Sequence, residues 1–265
     1  MTFQFMLAPM DNFTDNAFRA LCYKYGADMT FTSMLSIEAL ARKNEQTWKE
    51  LNFEDNDAPV VIQLIGNKEE SLKKFLTIFK PSHCFRGFNL NCGCIDPEVI
   101  QNGNGCALMK RVTKVAKLVN IIKEKGYPVS VKMRLGLNQY EKEKKVYLNL
   151  TKNVNADFFI VHARHGKETY KDPADFSVYP EVVATGKKII ANGDIKTLEQ
   201  IETLQQIGVA GVMIGRGAVE NPQIFNLLKK KKVLDKEAVK KDYLYLAEKY
   251  HSSERNKKNI LRRLE

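Results

Sequence analysis

Eight short apolar runs, rich in β-branched residues, recur along the chain: Gln4–Ala8, Asp28–Thr32, Pro59–Leu64, Phe85–Leu90, Pro128–Met133, Asp157–Val161, Lys188–Ala191 and Ala210–Ile214. Most are continuous rather than alternating in polarity. A parallel strand is covered on both faces, so both faces call for apolar side chains. Between these runs, apolar positions repeat at helical spacing. Asp15–Tyr25 puts Phe18, Leu21, Cys22 and Tyr25 on one face, and Lys68–Phe79, Val112–Lys125, Glu141–Asn153 and Thr197–Gln206 behave alike. Gly26, Gly126 and Gly208 follow three of these segments, where helices commonly end on a left-handed residue.

Eight strands alternating with helices predict the α/β class and a (β/α)8 TIM barrel. The competing open doubly wound sheet usually carries a glycine-rich first turn. Here the first strand runs into Leu7-Ala8-Pro9-Met10 with no such turn. The character changes after Leu228. A lysine run, Lys229-Lys230-Lys231-Lys232, precedes two basic segments of helical spacing, Lys236–Tyr250 and Asn256–Leu264. Val239, Tyr243, Leu246 and Tyr250 form an apolar stripe on the first of them. We therefore divide the chain into a barrel, residues 1–230, and a short basic helical segment, residues 231–265.

In a barrel all strand C-termini open on one face, where the active site lies. The polar residues at those ends are Pro9, Met10 and Asp11; Thr32 and Ser33; Gln63 and Asn67; Asn91 and Cys94; Lys132 and Arg134; His162 and Arg164; Asn192, Gly193 and Asp194; and Gly215 and Arg216. Each has a job around a flavin mononucleotide (FMN). The glycines and Arg216 at strands seven and eight suit a phosphate. Lys132 suits the ring edge that becomes anionic on reduction. Gln63 can donate to and accept from the pyrimidine edge, and Pro9-Met10 can wall the ring. Singly, each also reads as a satisfied polar residue or a plain turn.

The composition is 44% apolar and 28% charged, that of a folded globular chain. No run is long enough to span a membrane, and Met1–Met10 lacks the charged start and apolar middle of a secretory signal, so a cytoplasmic protein is expected. The net charge of +11 is the footprint of a polyanion partner, most often nucleic acid, although a lysine-rich solvated surface would also produce it. Five cysteines are an odd number for a disulfide framework. Cys84, Cys92, Cys94 and Cys106 include no CxxC pair, and CxC serves one metal poorly, so no metal is expected. Cys22, Cys84 and Cys106 read as packing residues. Cys94, after Asn91-Cys92-Gly93 at a strand end, reads as a side chain presented into a pocket.

Taken together, the chain resembles the tRNA-dihydrouridine synthase family of flavoenzymes. The resemblance rests on Leu7-Ala8-Pro9-Met10, Gln63-Leu64-Ile65-Gly66, Asn89-Leu90-Asn91-Cys92-Gly93-Cys94, Gly103-Asn104-Gly105-Cys106-Ala107-Leu108-Met109 and Ser130-Val131-Lys132-Met133-Arg134-Leu135-Gly136. It continues with Val161-His162-Ala163-Arg164, Ala191-Asn192-Gly193-Asp194-Ile195 and Val212-Met213-Ile214-Gly215-Arg216-Gly217-Ala218. It implies FMN as prosthetic group, NADPH or NADH as reductant, and a tRNA uridine as the substrate reduced to dihydrouridine. It implies Cys94 as proton donor to uracil C5, and Asn91, Lys132 and Arg134 as uracil ligands. Pro9, Met10, Asp11, Gln63, Lys132, His162, Asn192, Gly193, Asp194, Gly215 and Arg216 would hold FMN. The enzyme is expected to act as a monomer.

There are departures. Ile95 stands where the family usually has proline, which puts the path of the loop after Cys94 in question. Ser33 replaces a common acidic residue, and His165 a common threonine. The basic helical segment resembles a shortened or a truncated version of the family's longer tRNA-gripping domain. Lys229–Lys232, Lys240, Lys241, Arg255, Lys257, Lys258, Arg262 and Arg263 are its expected phosphate contacts. Two other readings stay open: an FMN-dependent reductase of a small enone or pyrimidine, and a non-catalytic tRNA-binding barrel.

Overall fold

The computed structural model describes residues 2–53 and 56–264. Eight parallel strands form one sheet: β1 (Gln4–Leu7), β2 (Thr30–Ser36), β3 (Val60–Ile65), β4 (Phe85–Cys92), β5 (Val129–Met133), β6 (Phe158–His162), β7 (Ile189–Asn192) and β8 (Gly211–Ile214). Their order is β1-β8-β7-β6-β5-β4-β3-β2. The ring closes where Met6 of β1 bridges Met29 ahead of β2, with Leu7 N–H donating to the Met29 carbonyl at 2.9 Å. Helices cover the outside, so each strand is buried on both faces, as its apolar run requires. Among the described residues, no helix is long and apolar enough to cross a membrane.

The core has two parts. The larger lies between sheet and helices and includes Phe18, Leu72, Phe75, Phe88, Leu118, Ile122 and Leu204. The smaller fills the barrel interior with Met6, Phe31, Val61, Ile160, Ile190 and Met213. Cys22, Cys84 and Cys106 are buried packing residues, as their surroundings in the sequence suggest.

Most expected boundaries hold to within two residues, and three differences have physical causes. The expected helix 141–153 is two helices, Gln139–Glu143 and Val146–Asn153, broken at Lys145 with φ +52°. Glu141 turns inward, accepts the Leu137 N–H at 2.8 Å and pairs with Lys110 at 3.0 Å. This ties the first turn to the preceding loop, and the chain must kink to resume. β2 runs past Thr32 to Ser36 through a register irregularity between Phe31 and Met34. Several helices of five residues, such as Ile37–Ala41 and Arg216–Glu220, are too short to show a period.

Helix Lys236–Lys249 docks on helix Asn16–Lys24, and the last helix, Glu254–Leu264, packs against Lys236–Lys249 and Arg216–Glu220. Val239, Tyr243 and Ala247 are buried there, while Leu246 and Tyr250 are only partly covered, so the buried stripe is rotated from the expected one. Tyr25 Oη donates to Asp242 at 2.6 Å, and Ser252 Oγ to Asp15 at 2.7 Å. Lys229 and Lys230 do not belong to this face. Lys229 pairs at 2.6 Å with Asp28, whose other oxygen accepts the Phe5 N–H at the start of β1. They sit at the end of the barrel opposite the strand C-termini.

Candidate active site

β4 ends in a turn held by its own side chain. Asn91 Oδ1 accepts the backbone N–H of Gly93 at 3.0 Å and of Cys94 at 2.8 Å. The Cys94 carbonyl accepts the Cys106 N–H at 2.9 Å, which pins the turn to the short helix Gly105–Lys110. Cys94 is thereby held at the rim, and it is the one cysteine that is not buried. Burial of the thiol raises its pKa above the ordinary value, against smaller lowering from the Asp96 backbone and Arg134. It therefore carries its proton at neutral pH.

β5 contributes Lys132 and Arg134 on the same face. Lys132 makes no hydrogen bond or ion pair among the described residues. Loss of hydration, with repulsion from Arg134, pulls its ammonium down to about 8. Arg134 is buried and donates to the His165 carbonyl at 3.0 Å.

β6 to β8 form a cationic wall. Arg164 is fully buried, donating to the Asp172 carbonyl at 2.7 Å and to Asp194. Arg216 shares the same Asp194 carboxylate and stacks on Tyr170, 3.8 Å from the ring centre. His162 Nε2 lies 3.2 Å from Arg164 Nη1, which can only donate, so Nε2 accepts and the proton sits on Nδ1. Burial, with Lys132, Arg134, Arg164 and Arg216 around it, drives His162 down to about 2, so it stays neutral. Gly193 joins β7 to this wall with φ +120°, and a Cβ there would meet Ala174 Cβ at 3.0 Å and His162 Cδ2 at 3.1 Å. Only glycine fits both the angle and the approach.

The candidate residues Pro9, Met10, Asp11, Gln63, Asn91, Cys94, Lys132, Arg134, His162, Asn192, Gly193, Asp194, Gly215 and Arg216 all line one cavity of about 690 Å3. Four of the strand-end residues, Thr32, Ser33, Asn67 and the fully buried Arg164, do not line it. Asn67 turns away to donate to the carbonyls of Asn102 and Gly103. Thr32 is buried, with its hydroxyl accepting the Gln63 N–H at 3.0 Å. The cavity also gains Tyr170, which no pattern in the sequence marks, and Arg263, which was expected only as a phosphate contact. Tyr170 comes from an irregular loop, and Arg263 reaches the mouth from the last helix. Asn259 on that helix donates to the Asn12 carbonyl at 3.2 Å, which holds it over the first strand's loop.

Comparison with known proteins bears on this arrangement. The model of the dihydrouridine synthase (Dus) family matches residues 6–265. "Probable tRNA-dihydrouridine synthase" of Helicobacter pylori is 33% identical over 248 residues, covering 89% of this chain and 73% of that protein. "Probable tRNA-dihydrouridine synthase 2" of Bacillus subtilis is 32% identical, covering 83% and 70%. The tRNA-dihydrouridine(20a/20b) synthase of Saccharomyces cerevisiae, named with NAD(P)+, is 26% identical, covering 82% and 60%. Among solved structures, morphinone reductase superposes with a TM-score of 0.63 at 10% identity, over 91% of this chain and 88% of that one, a likeness of fold.

Proposed function

The chain belongs to the dihydrouridine synthase family, and from that premise we propose that it reduces the C5=C6 bond of uridines in tRNA, using FMN and NAD(P)H. The observation that carries this reading is one cavity in which a protonated, accessible thiol, Cys94, and a cation with no counter-ion among the described residues, Lys132, meet two glycine-bearing strand ends.

The cavity suits FMN on its own chemistry. Its volume is in the range of cofactor sites, about 300–1,000 Å3. Gly193 and Gly215 beside Arg216 leave backbone open to a phosphate, and Met10 gives an apolar wall. Lys132 is a desolvated cation that a ligand with an electron-rich edge would complete. Bound FMN, reduced by NAD(P)H, supplies a hydride to uracil C6.

The side chains of this chain do the rest. Negative charge develops through C5 toward the C4 carbonyl, and Lys132 and Arg134 stabilise it in a site of low dielectric. Asn91 has committed its oxygen to two backbone N–H groups and one amide hydrogen to Gln63; the other meets only the weak acceptor Met34 Sδ at 3.8 Å, which a uracil carbonyl can replace as the stronger acceptor. Cys94 delivers the proton to C5, and the raised thiol pKa keeps that proton available at neutral pH. His162, neutral throughout, adds no charge next to Lys132.

A base inside a helix cannot reach this depth, so the uridine must leave its stack, which costs least in a loop. We assign residues 1–230 to catalysis and 231–265 to holding the RNA, with the protein acting in the cytoplasm as a single chain. Lys258, Arg262 and Arg263 are exposed on the helix that borders the cavity mouth, where they would meet phosphates flanking the inserted base. The test is nucleoside mass analysis of unmodified tRNA incubated with protein, FMN and NADPH, beside Cys94→Ala. Dihydrouridine should form and fall by about a hundredfold or more in the variant. A yellow protein whose flavin NADPH reduces, but which leaves tRNA unchanged and reduces a small enone, would overturn it.

A further inference from the structure

A line of polar side chains crosses the barrel interior beneath the cavity. Strand register brings them side by side: Gln63 of β3 is level with Asn89 of β4, and Asn89 with Ser130 of β5. Asn91 Nδ2 donates to Gln63 Oε1 at 2.9 Å, Gln63 Nε2 to Asn89 Oδ1 at 2.7 Å, and Asn89 Nδ2 to Ser130 Oγ at 2.8 Å. Ser130 Oγ in turn lies 3.4 Å from the Phe88 carbonyl. Gln63, Asn89 and Ser130 are buried, the last two with 0% and 1% exposure, so no water substitutes for a lost partner.

The direction of this line is forced. A backbone N–H can only donate, so Gly93 and Cys94 fix which atom of Asn91 is the oxygen. Its nitrogen then faces Gln63, which must answer with oxygen and turn its own nitrogen to Asn89. Asn89 must accept there and donate to Ser130, whose hydroxyl hydrogen is left to point at the Phe88 carbonyl. Reversing any one amide sets donor against donor or acceptor against acceptor in a buried place, which costs about 1–3 kcal/mol per orphaned group. A single arrangement satisfies every member.

We propose that Asn89 and Ser130 are positioning residues for the reaction: through Gln63 and Asn91 they set which hydrogen-bonding atoms face the cavity and where the Cys94 turn sits. Neither reaches the cavity surface, and neither touches a reacting atom. The role given to the cavity rests on the reading above, but the seat of Cys94 does not. The Asn91 oxygen holds two N–H groups of that turn only while its nitrogen has an acceptor in Gln63. Gln63 in turn keeps that orientation only while Asn89 accepts from it.

The test compares Asn89→Leu, Asn89→Asp and Ser130→Ala in the full chain. An aspartate at 89 still accepts from Gln63 and accepts from the Ser130 hydroxyl, so it preserves the direction that leucine destroys. The first readout is the rate at which Cys94, the one cysteine that is not buried, is alkylated by iodoacetamide across pH 7 to 9. Asn89→Leu should speed it about tenfold, as loss of one hydrogen bond of about 1.4 kcal/mol at the turn implies. Ser130→Ala should lie between, and Asn89→Asp within about twofold of wild type. The second readout, with flavin bound, is reoxidation of NADPH-reduced protein by tRNA. Asn89→Leu should slow this step about tenfold, with a shifted flavin absorption band and a KM for tRNA within about twofold of wild type. Asn89→Asp as altered as Asn89→Leu in alkylation, or Asn89→Leu unchanged in both readouts, would overturn the proposal. If wild type failed to bind flavin or to modify tRNA, the reading of function would fall, and alkylation would still decide the positioning role.

Discussion

Lys132→Met should make the cofactor-free protein more stable while disabling it. The ammonium sits in the cavity wall without a counter-ion among the described residues, and loss of hydration lowers it from 10.5 to about 8. At about 1.36 kcal/mol per tenfold change in proton affinity, holding this group charged at pH 7 costs the fold about 3 kcal/mol. Part of the side chain remains open to the cavity, so about 1–2 kcal/mol is the gain expected when an uncharged chain of similar length replaces it. The pH dependence has a definite sign. Below about pH 8 lysine is protonated in both folded and unfolded chains, and the penalty is constant. Between about pH 8 and 10.5 the unfolded chain keeps a proton that the folded one has shed, so wild-type stability rises with pH.

Urea unfolding of cofactor-free protein at pH 7 and pH 9.5 measures both effects. The advantage of Lys132→Met should be present at pH 7 and shrink at pH 9.5. Saturating FMN should reverse the ranking, because ligand binding stabilises only the form it binds well. Dihydrouridine formation should fall by about a hundredfold as charge stabilisation is lost. A Lys132→Met protein that unfolds at lower urea than wild type at pH 7 without flavin would refute the reasoning, since it would mean the ammonium is compensated by something.

Two further predictions concern the cationic wall and the tail. Gly193→Ala forces a Cβ into φ +120° against Ala174 and His162, and should lower stability by about 1–3 kcal/mol and weaken FMN binding; an unchanged melting temperature and FMN fluorescence titration would contradict this. Arg263→Ala and Lys258→Ala should each flatten the slope of log Kd for tRNA against log salt by about 0.7–0.9, while Lys229→Ala, at the far end of the barrel, should leave it unchanged; equal slopes in all three would remove the mouth of the cavity as the RNA contact.

The barrel was legible because its strands are buried on both faces, and runs such as Ile189–Asn192 and Gly211–Ile214 are apolar nearly throughout. The strand-end residues were legible for the converse reason: Lys132 and Asn192 close apolar runs with groups that no core accepts for free. What escaped notice depends on distance in space. Tyr170 becomes part of the site only because Arg216 of another strand end lies under its ring. Arg263 was expected as a phosphate contact, but its place at the cavity arises because Asp15 and Asn12 fasten the last helices across the first strand's loop. The lysine run looked uniform, yet Asp28 draws Lys229 to the opposite end. Asn89 and Ser130 were visible as polar interruptions, but one polar residue in an apolar strand can face helices or barrel interior, and only the pairing register decides.

The barrel interior divides its chemistry by strand. Below their polar ends His162 and Asn192, β6 and β7 fill it with Ile160 and Ile190 beside Met6 and Met213 of β1 and β8, whereas β3 to β5, apart from Val61, bring Gln63, Asn89, Asn91, Ser130 and Lys132 into the same space. An all-apolar interior would hold the fold at least as well, since a buried polar network gains little even when every partner is present. The polar sector also contains Lys132, which loses stability outright in the absence of a ligand. Stability alone therefore does not account for this sector. A surface that must meet a heterocycle with donors and acceptors in a set order does account for it, because the order is fixed only where every amide is locked by its neighbour. The single thiol that is not buried stands at the top of that sector, on the turn the last amide holds, so the group proposed to deliver the proton and the groups proposed to read the base are positioned by one continuous set of hydrogen bonds.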